Sequence, residues 1–186
     1  MKTLIIIPSR MSATRLPGKP LLKINGLSII SHVFKKAESS NIGEVVVATE
    51  DQEILDDVKS NGGNAILTSK NHRTGTDRIY EALKMLDRND IDLIMNIQGD
   101  EPEIDIEDIK KNENIFHHIG IYCYEVETLK NFVSFNQSKN ELDNKLEQLR
   151  ALDNKIDINV AQANSSPIGI DTKEDYLAIK KIIEYK

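Results

Sequence analysis

The stretch Pro8-Ser9-Arg10-Met11-Ser12-Ala13-Thr14-Arg15-Leu16-Pro17-Gly18-Lys19-Pro20 concentrates three cations and three hydroxyl side chains directly after the apolar run Leu4–Ile7. A polyphosphate calls for this set of groups: fixed positive charge, freely orienting donors and a backbone that approaches closely. The spacing matches neither GxxxxGK[ST] nor GxGxxG, which favours a mononucleotide or sugar phosphate over a dinucleotide. The plain alternative is a solvated basic loop. A second group, Gln98-Gly99-Asp100-Glu101-Pro102, follows another apolar run. Carboxylates in such a place suit Mg²⁺, which takes one or two of them together with substrate phosphate oxygens. The competing reading is a loop carboxylate capping the next helix.

Arginine usage points to the same places. The chain holds 18 Lys and only 6 Arg, namely Arg10, Arg15, Arg73, Arg78, Arg88 and Arg150. Lysine is the default cation, so each arginine marks a place where a planar, two-pronged donor has a use. Three weaker signals accompany them. Residues 71–78 (NHRTGTDR) are rich in donors and precede a helical pattern, with Thr76 or Asp77 as an ordinary cap. His118 borders an apolar segment and, taken alone, reads as a surface or satisfied core histidine. Asp171 reads as the N-cap of the last helix.

The elements that must position these residues alternate between strand and helix. Apolar runs predict strands at 4–7, 44–49, 65–67, 91–97, 119–126 and 156–161. Apolar residues at three- and four-residue spacing predict helices at 28–39, 51–60, 76–86, 141–152 and 171–185, and 104–111 admits a turn or two of helix. Residues 1–186 form a single domain with no repeat or linker, and the alternation implies an α/β fold with a doubly wound, mostly parallel sheet. Such sheets bind ligands beyond the carboxyl ends of their strands, where both motif loops lie. A net charge of −6 gives no basic field for nucleic acid or anionic membrane, and no apolar stretch is long enough to span one. The lone Cys123 excludes an internal disulfide and a multi-cysteine zinc site. With no signal-peptide pattern at its start, the chain reads as cytoplasmic.

Seven segments in order carry a resemblance: 7–10 (IPSR), 15–21 (RLPGKPL), 72–78 (HRTGTDR), 96–102 (NIQGDEP), 118–122 (HIGIY), 146–150 (LEQLR) and 169–172 (GIDT). Together they resemble the 3-deoxy-manno-octulosonate (Kdo) cytidylyltransferases, enzymes of lipopolysaccharide biosynthesis. The resemblance implies a nucleotide-diphospho-sugar transferase (Rossmann-like) fold, with transfer of CMP from CTP to the anomeric hydroxyl of Kdo, release of pyrophosphate, and Mg²⁺ as cofactor. By motif position, Arg10, Arg15 and Lys19 would meet the phosphates, with Asp100 counted among the catalytic groups. Pro8, Ser9, Thr74 and Gly75 would meet the cytidine. Gln98, His118, Tyr122, Glu147 and Gln148 would line the sugar pocket, and Asp100 and Asp171 would ligate the metal. The family pattern also implies a homodimer. Ala13, Cys123 and Asn144 stand where the pattern has Ser, Gly and Glu. Only 17 residues separate Asp100 from His118, so the family segment falling between 104 and 117 is largely absent. That segment supplies sheet strands, an arginine for the sugar carboxylate and much of the dimer contact. The alternative function is therefore a nucleotide-binding member with altered sugar specificity or without transfer activity.

Overall fold

A computed structural model describes residues 1–12, 15–100, 102, 120–161, 163–164 and 167–185. Its frame is a five-stranded sheet in the order β5-β4-β1-β6-β7. The strands are β1 (Thr3–Ser9), β4 (Gly43–Thr49), β5 (Ala65–Leu67), β6 (Leu93–Ile97) and β7 (Ile121–Glu125). The pairs β1/β4, β1/β6 and β4/β5 are parallel, and β6/β7 is antiparallel. A two-residue hairpin, β2 (Lys23–Ile24) with β3 (Leu27–Ser28), stands apart from this sheet.

The central strand shows why its sequence is apolar without alternation. Ile5 and Ile7 pack on one face with α1 (Ile29–Ser39) and α2 (Gln52–Ser60), through Ile30, Val33, Ile54 and Val58. Leu4 and Ile6 pack on the other face against Ile79, Ala82 and Leu83 of α3 (Gly75–Leu86) and Leu129 of α4 (Val126–Ser134). Burial on both faces removes any position for a polar residue. Pro8 is compatible with this central strand because pairing with β6 ends at Ile6. The chain runs from β1 to β4 on one side and β6 on the other, so the order reverses beside β1. The crevice at that reversal lies past Pro8 and Ile97, where an α/β sheet takes its ligand.

A third apolar cluster brings the end of the chain to this crevice. Ile170 and Ile179 pack with Ile24 and Ile29, which lays α7 (Lys173–Glu184) over the hairpin. The Tyr176 hydroxyl donates to Lys23 O at 2.7 Å, and the Ile170 N–H donates to Asp100 O at 3.0 Å.

Several elements differ from the sequence reading. The helix expected at 141–152 is two short ones, α5 (Lys139–Asn144) and α6 (Gln148–Asp153). Lys145 ends α5 in the left-handed region at φ 53°, and Glu141 turns back to satisfy the Ser138 cap. Residues 156–161 form no strand among those described; Ile158 and Val160 are exposed, so no packing draws them into the sheet. Helix α4 was not foreseen, because its apolar residues continue the run of β7. The turn expected at 104–111 lies outside the described residues.

Candidate active site

Three devices build the crevice. The first is the loop after β1. Asp51 begins α2 but leaves its N-cap role unfilled, and its carboxylate instead accepts from the Met11 N–H at 2.7 Å. That bond pins the first part of the loop to the neighbouring strand exit. The second is the start of α3. Thr74 caps it in a capping box with Asp77, so the cap lies two residues before the expected Thr76. A Cβ on Gly75 would come within 3.2 Å of Pro8, and its absence lets the helix begin against β1. The third is the start of α7. Thr172 caps it in a capping box with Asp175, so Asp171 is not the N-cap. Asp171 is therefore left available to the site.

These devices enclose a cavity of about 380 Å³ lined by Pro8, Ser9, Arg10, Arg15, Lys19, Thr74, Gly75, Gln98, Asp100 and Asp171, among others. Residues from four distant parts of the sequence meet there. Lys19 is its hub: the ammonium donates to Asp100 Oδ2 at 2.6 Å and to Ile170 O at 2.5 Å, and lies 3.5 Å from Asp171 Oδ1. Arg15 Nη1 lies 3.0 Å from Asp171 Oδ2. Both Arg10 and Arg73 line the cavity, and no described residue pairs with either. Arg78 also borders the cavity, but its donors are engaged: Nη1 donates to Thr68 Oγ1 at 2.5 Å, and Nη2 pairs with Glu50. It clamps α3 to the loops after β4 and β5.

The residues expected at the sugar divide. Gln98 lines the cavity, and its side chain lies over Gly120, where a Cβ would come within 2.2 Å of it. Tyr122 sits on β7 opposite Asn96 and contacts Tyr124, with ring centroids 6.5 Å apart. Glu147 is the N-cap residue of α6 but does not cap it. Its Oε1 is buried without a hydrogen bond, 4.0 Å from Arg150 Nη2, and burial holds its pKa above the usual glutamate range. Gln148 opens α6. Tyr122, Glu147 and Gln148 do not line the main cavity, and His118 lies outside the described residues.

Arg150 is not a ligand for an anion. It is buried, donates to Glu141 from Nε at 2.8 Å and Nη2 at 2.6 Å, and stacks 4.7 Å over Phe132. Burial raises the Tyr124 phenol to about 12, with Glu147 adding to the rise. Thr76, Tyr124 and Glu141 belong to this polar cluster, and sequence reasoning missed their roles. The capping-box spacing Ser138-x-x-Glu141 was the one legible trace.

Asp100 and Asp171 share one ammonium at the edge of a cation-lined cavity. Among the described residues no third acidic, histidine or cysteine side chain joins them in a metal-sized group. Two carboxylates with room for phosphate oxygens and water fit Mg²⁺, which seldom uses an all-protein cage.

Comparison with known proteins agrees with this architecture. The family model described as Cytidylyltransferase matches residues 4–115. A 3-deoxy-manno-octulosonate cytidylyltransferase from Nitrobacter winogradskyi is 35% identical over 239 positions, covering 98% of this chain and 94% of the relative. One from Rhodopseudomonas palustris is 34% identical, covering 99% and 98%. The first alignment is longer than the 186-residue chain, so at least 53 of its positions have no counterpart here. A solved CMP:2-keto-3-deoxy-manno-octonic acid synthetase complexed with CTP superposes with a TM-score of 0.88 at 27% identity, covering 100% of this chain and 99% of that one. A 4-diphosphocytidyl-2C-methyl-D-erythritol synthase from Anaerococcus prevotii shares the fold at a TM-score of 0.70 and 13% identity. With a matching family model over more than half its length and relatives aligned end to end, this chain belongs to the 3-deoxy-manno-octulosonate cytidylyltransferases.

Proposed function

We propose that the protein transfers CMP from CTP to the anomeric hydroxyl of Kdo, releasing pyrophosphate and supplying an activated sugar for lipopolysaccharide assembly. The observation that carries this reading is the convergence of Arg10, Arg15 and Lys19 with Asp100 and Asp171 in one cavity at the sheet's reversal. In this reading Pro8, Ser9, Thr74 and Gly75 hold the cytidine, while Arg10, Arg15 and Lys19 bind the phosphates. Gln98, Tyr122, Glu147 and Gln148, with His118, orient the sugar. The hydroxyl attacks the α-phosphorus in line as pyrophosphate leaves opposite, so the side chains contribute placement and positive charge. When triphosphate enters, its oxygens compete with Asp100 and Asp171 for Lys19 and Arg15, which frees both carboxylates. Asp100 and Asp171 would hold Mg²⁺, which when bound supplies further charge stabilisation at the α-phosphate.

The missing family segment favours one competing reading, a nucleotide-binding protein without transfer. The two separate on pyrophosphate release. Release from CTP that requires both Mg²⁺ and Kdo supports transfer. CTP binding with no release at any Kdo concentration leaves only the binding protein.

A further inference from the structure

The segment joining β5 to α3, residues 68–74, carries one wall of the cavity, and α3 itself holds it in place. Thr68 begins the segment, its N–H donating to Thr49 O at 2.7 Å, and Thr74 ends it as the cap of α3. Between them the side chain of Glu81, nearly two turns into α3, reaches back. Its Oε2 accepts from the Ser69 N–H at 2.8 Å and also bonds His72 Nε2. Against the upward push of burial, those two bonds hold the Glu81 carboxyl below the usual glutamate range. A carboxylate only accepts, so His72 donates and its Nε2 carries a proton. Arg78, from the same helix, donates to the Ser69 carbonyl at 3.2 Å. Both backbone polar groups of Ser69 are thus satisfied by side chains of α3. The His72 and Glu81 side chains are 18% and 26% exposed, so the pair is largely withdrawn from solvent screening. His72 lines both the main cavity, beside Arg73, Thr74 and Gly75, and a second hollow of about 390 Å³. Glu81 lines the second and not the first.

We propose that Glu81 is a positioning residue for the nucleotide: through His72 it holds residues 72–75 in the shape that receives the cytidine. The inference rests on the functional reading above, which puts Thr74 and Gly75 at the cytidine. On their C-terminal side these two residues are fixed by the capping box and by the close approach of Gly75 to Pro8. On their N-terminal side, among the described residues, the His72–Glu81 bond is the tie nearest the cap. A wall left loose before binding must be ordered by the ligand, and that cost is subtracted from the ligand's affinity. The loop after β1, which carries Arg10 and Arg15, has its own tie in the bond from the Met11 N–H to Asp51. The His72–Glu81 tie therefore acts on the cytidine's share of the affinity and leaves the phosphates' share alone. Glu81 touches no part of the nucleotide in this scheme; it acts through His72.

The test is calorimetry of CTP and of inorganic tripolyphosphate, each with Mg²⁺ present, on the native chain and three variants. Glu81→Ala removes the carboxylate, and His72→Phe keeps a ring without the N–H. Each is expected to weaken CTP about tenfold, the worth of one charge-assisted hydrogen bond, while tripolyphosphate affinity stays within about twofold. His72→Gln offers an amide N–H in place of Nε2 and should recover most of the CTP affinity, which a purely packing role would not predict. Unchanged CTP affinity in Glu81→Ala and His72→Phe overturns the proposal. So does an equal loss for CTP and tripolyphosphate, the mark of a general loosening, or a His72→Gln variant as weak as His72→Phe. If Glu81→Ala does not fold, the decision passes to the two His72 variants, which leave the bond between Glu81 and Ser69 in place. Any of these failures in a native chain that binds CTP sinks the positioning role alone. A native chain that does not bind CTP sinks the functional reading and the positioning role together.

Discussion

Lys19 stands between Asp100 and Asp171, so its removal acts on both the phosphates and the carboxylates. Losing one charge-assisted contact costs on the order of 1.5–3 kcal/mol, so Lys19→Ala is expected to weaken CTP binding roughly ten- to a hundredfold. Arg15→Ala should act in the same direction but less, because its side chain is 68% exposed and water already screens it. Calorimetry that finds unaltered CTP affinity in both variants removes the phosphate assignment. Asp100→Asn should keep the fold and lose Mg²⁺-dependent transfer, because an amide is a poor Mg²⁺ ligand. Tyr124 offers a pH prediction. Its phenol is neutral when protonated, and burial raises its pKa from about 10 to about 12 in the folded chain. The unfolded chain therefore releases this proton first, and stability falls as pH rises from about 10 to 12. Two units correspond to about 3 kcal/mol, and Tyr124→Phe should remove that part of the alkaline slope in urea titrations. An identical slope in both proteins would show that the phenol ionises freely.

At the scale of elements, neighbouring residues at the start of α7 have opposite assignments. Thr172→Ala removes the cap and should cost about 1 kcal/mol in thermal or urea unfolding while leaving transfer nearly intact. Asp171→Asn should do the reverse, losing transfer with little change in stability; full activity in that variant would make the metal role wrong. Helices α5 and α6 depend on a different device. Arg150→Met strands the Glu141 carboxylate in the interior and should cost about 3–5 kcal/mol, measurable by urea unfolding. Much of the frame was legible because its signals are local. The double-sided burial of Leu4–Ile7 and the 3.6-residue spacing of Ile30, Val33, Phe34 and Ala37 need no tertiary knowledge. The break between α5 and α6 was not legible, because a left-handed Lys145 carries no mark in the sequence. Nor was the end of β7, since Tyr124 and Val126 are apolar for different elements. Among the site residues, Asp171 looked like a cap because an acid one residue before Thr172 is indistinguishable by spacing from a capping acid. Its place beside Asp100 comes from Ile170, whose burial draws the end of the chain onto Asp100.

For the whole molecule, the six arginines set a limit on which anions it can hold. Arg10, Arg15 and Arg73 line the cavity proposed for the nucleotide, and Arg78 borders it with its donors engaged on Thr68, Ser69 and Glu50. Arg88 is remote, held by Asp90 and Glu44, and Arg150 is sealed on Glu141. Arg73 alone lines the cavity with neither a phosphate role nor a partner among the described residues, and it adjoins Thr74 on the nucleotide side; the segment from which the family resemblance draws the sugar-carboxylate arginine is the one this chain lacks. The same segment supplies sheet strands and dimer contact in that pattern, and among the described residues β7 is an edge strand. The two substrates should therefore respond unequally to the shortened middle. The nucleotide cradle is drawn from β1, the start of α3, the exit of β6 and the start of α7, all present, so CTP should bind as it does to the longer Nitrobacter winogradskyi relative. Kdo should bind more weakly by the worth of one charge-assisted carboxylate contact, on the order of 1.5–3 kcal/mol, or roughly ten- to a hundredfold in KM. Steady-state kinetics on both proteins, with mass spectrometry confirming a chain of 21.0 kDa, decides the matter. Equal KM values for Kdo would mean that Arg73, a lysine or an amide has taken the place of the missing guanidinium. A loss of CTP affinity matching that of Kdo would mean instead that the missing segment supports the whole crevice rather than its sugar side.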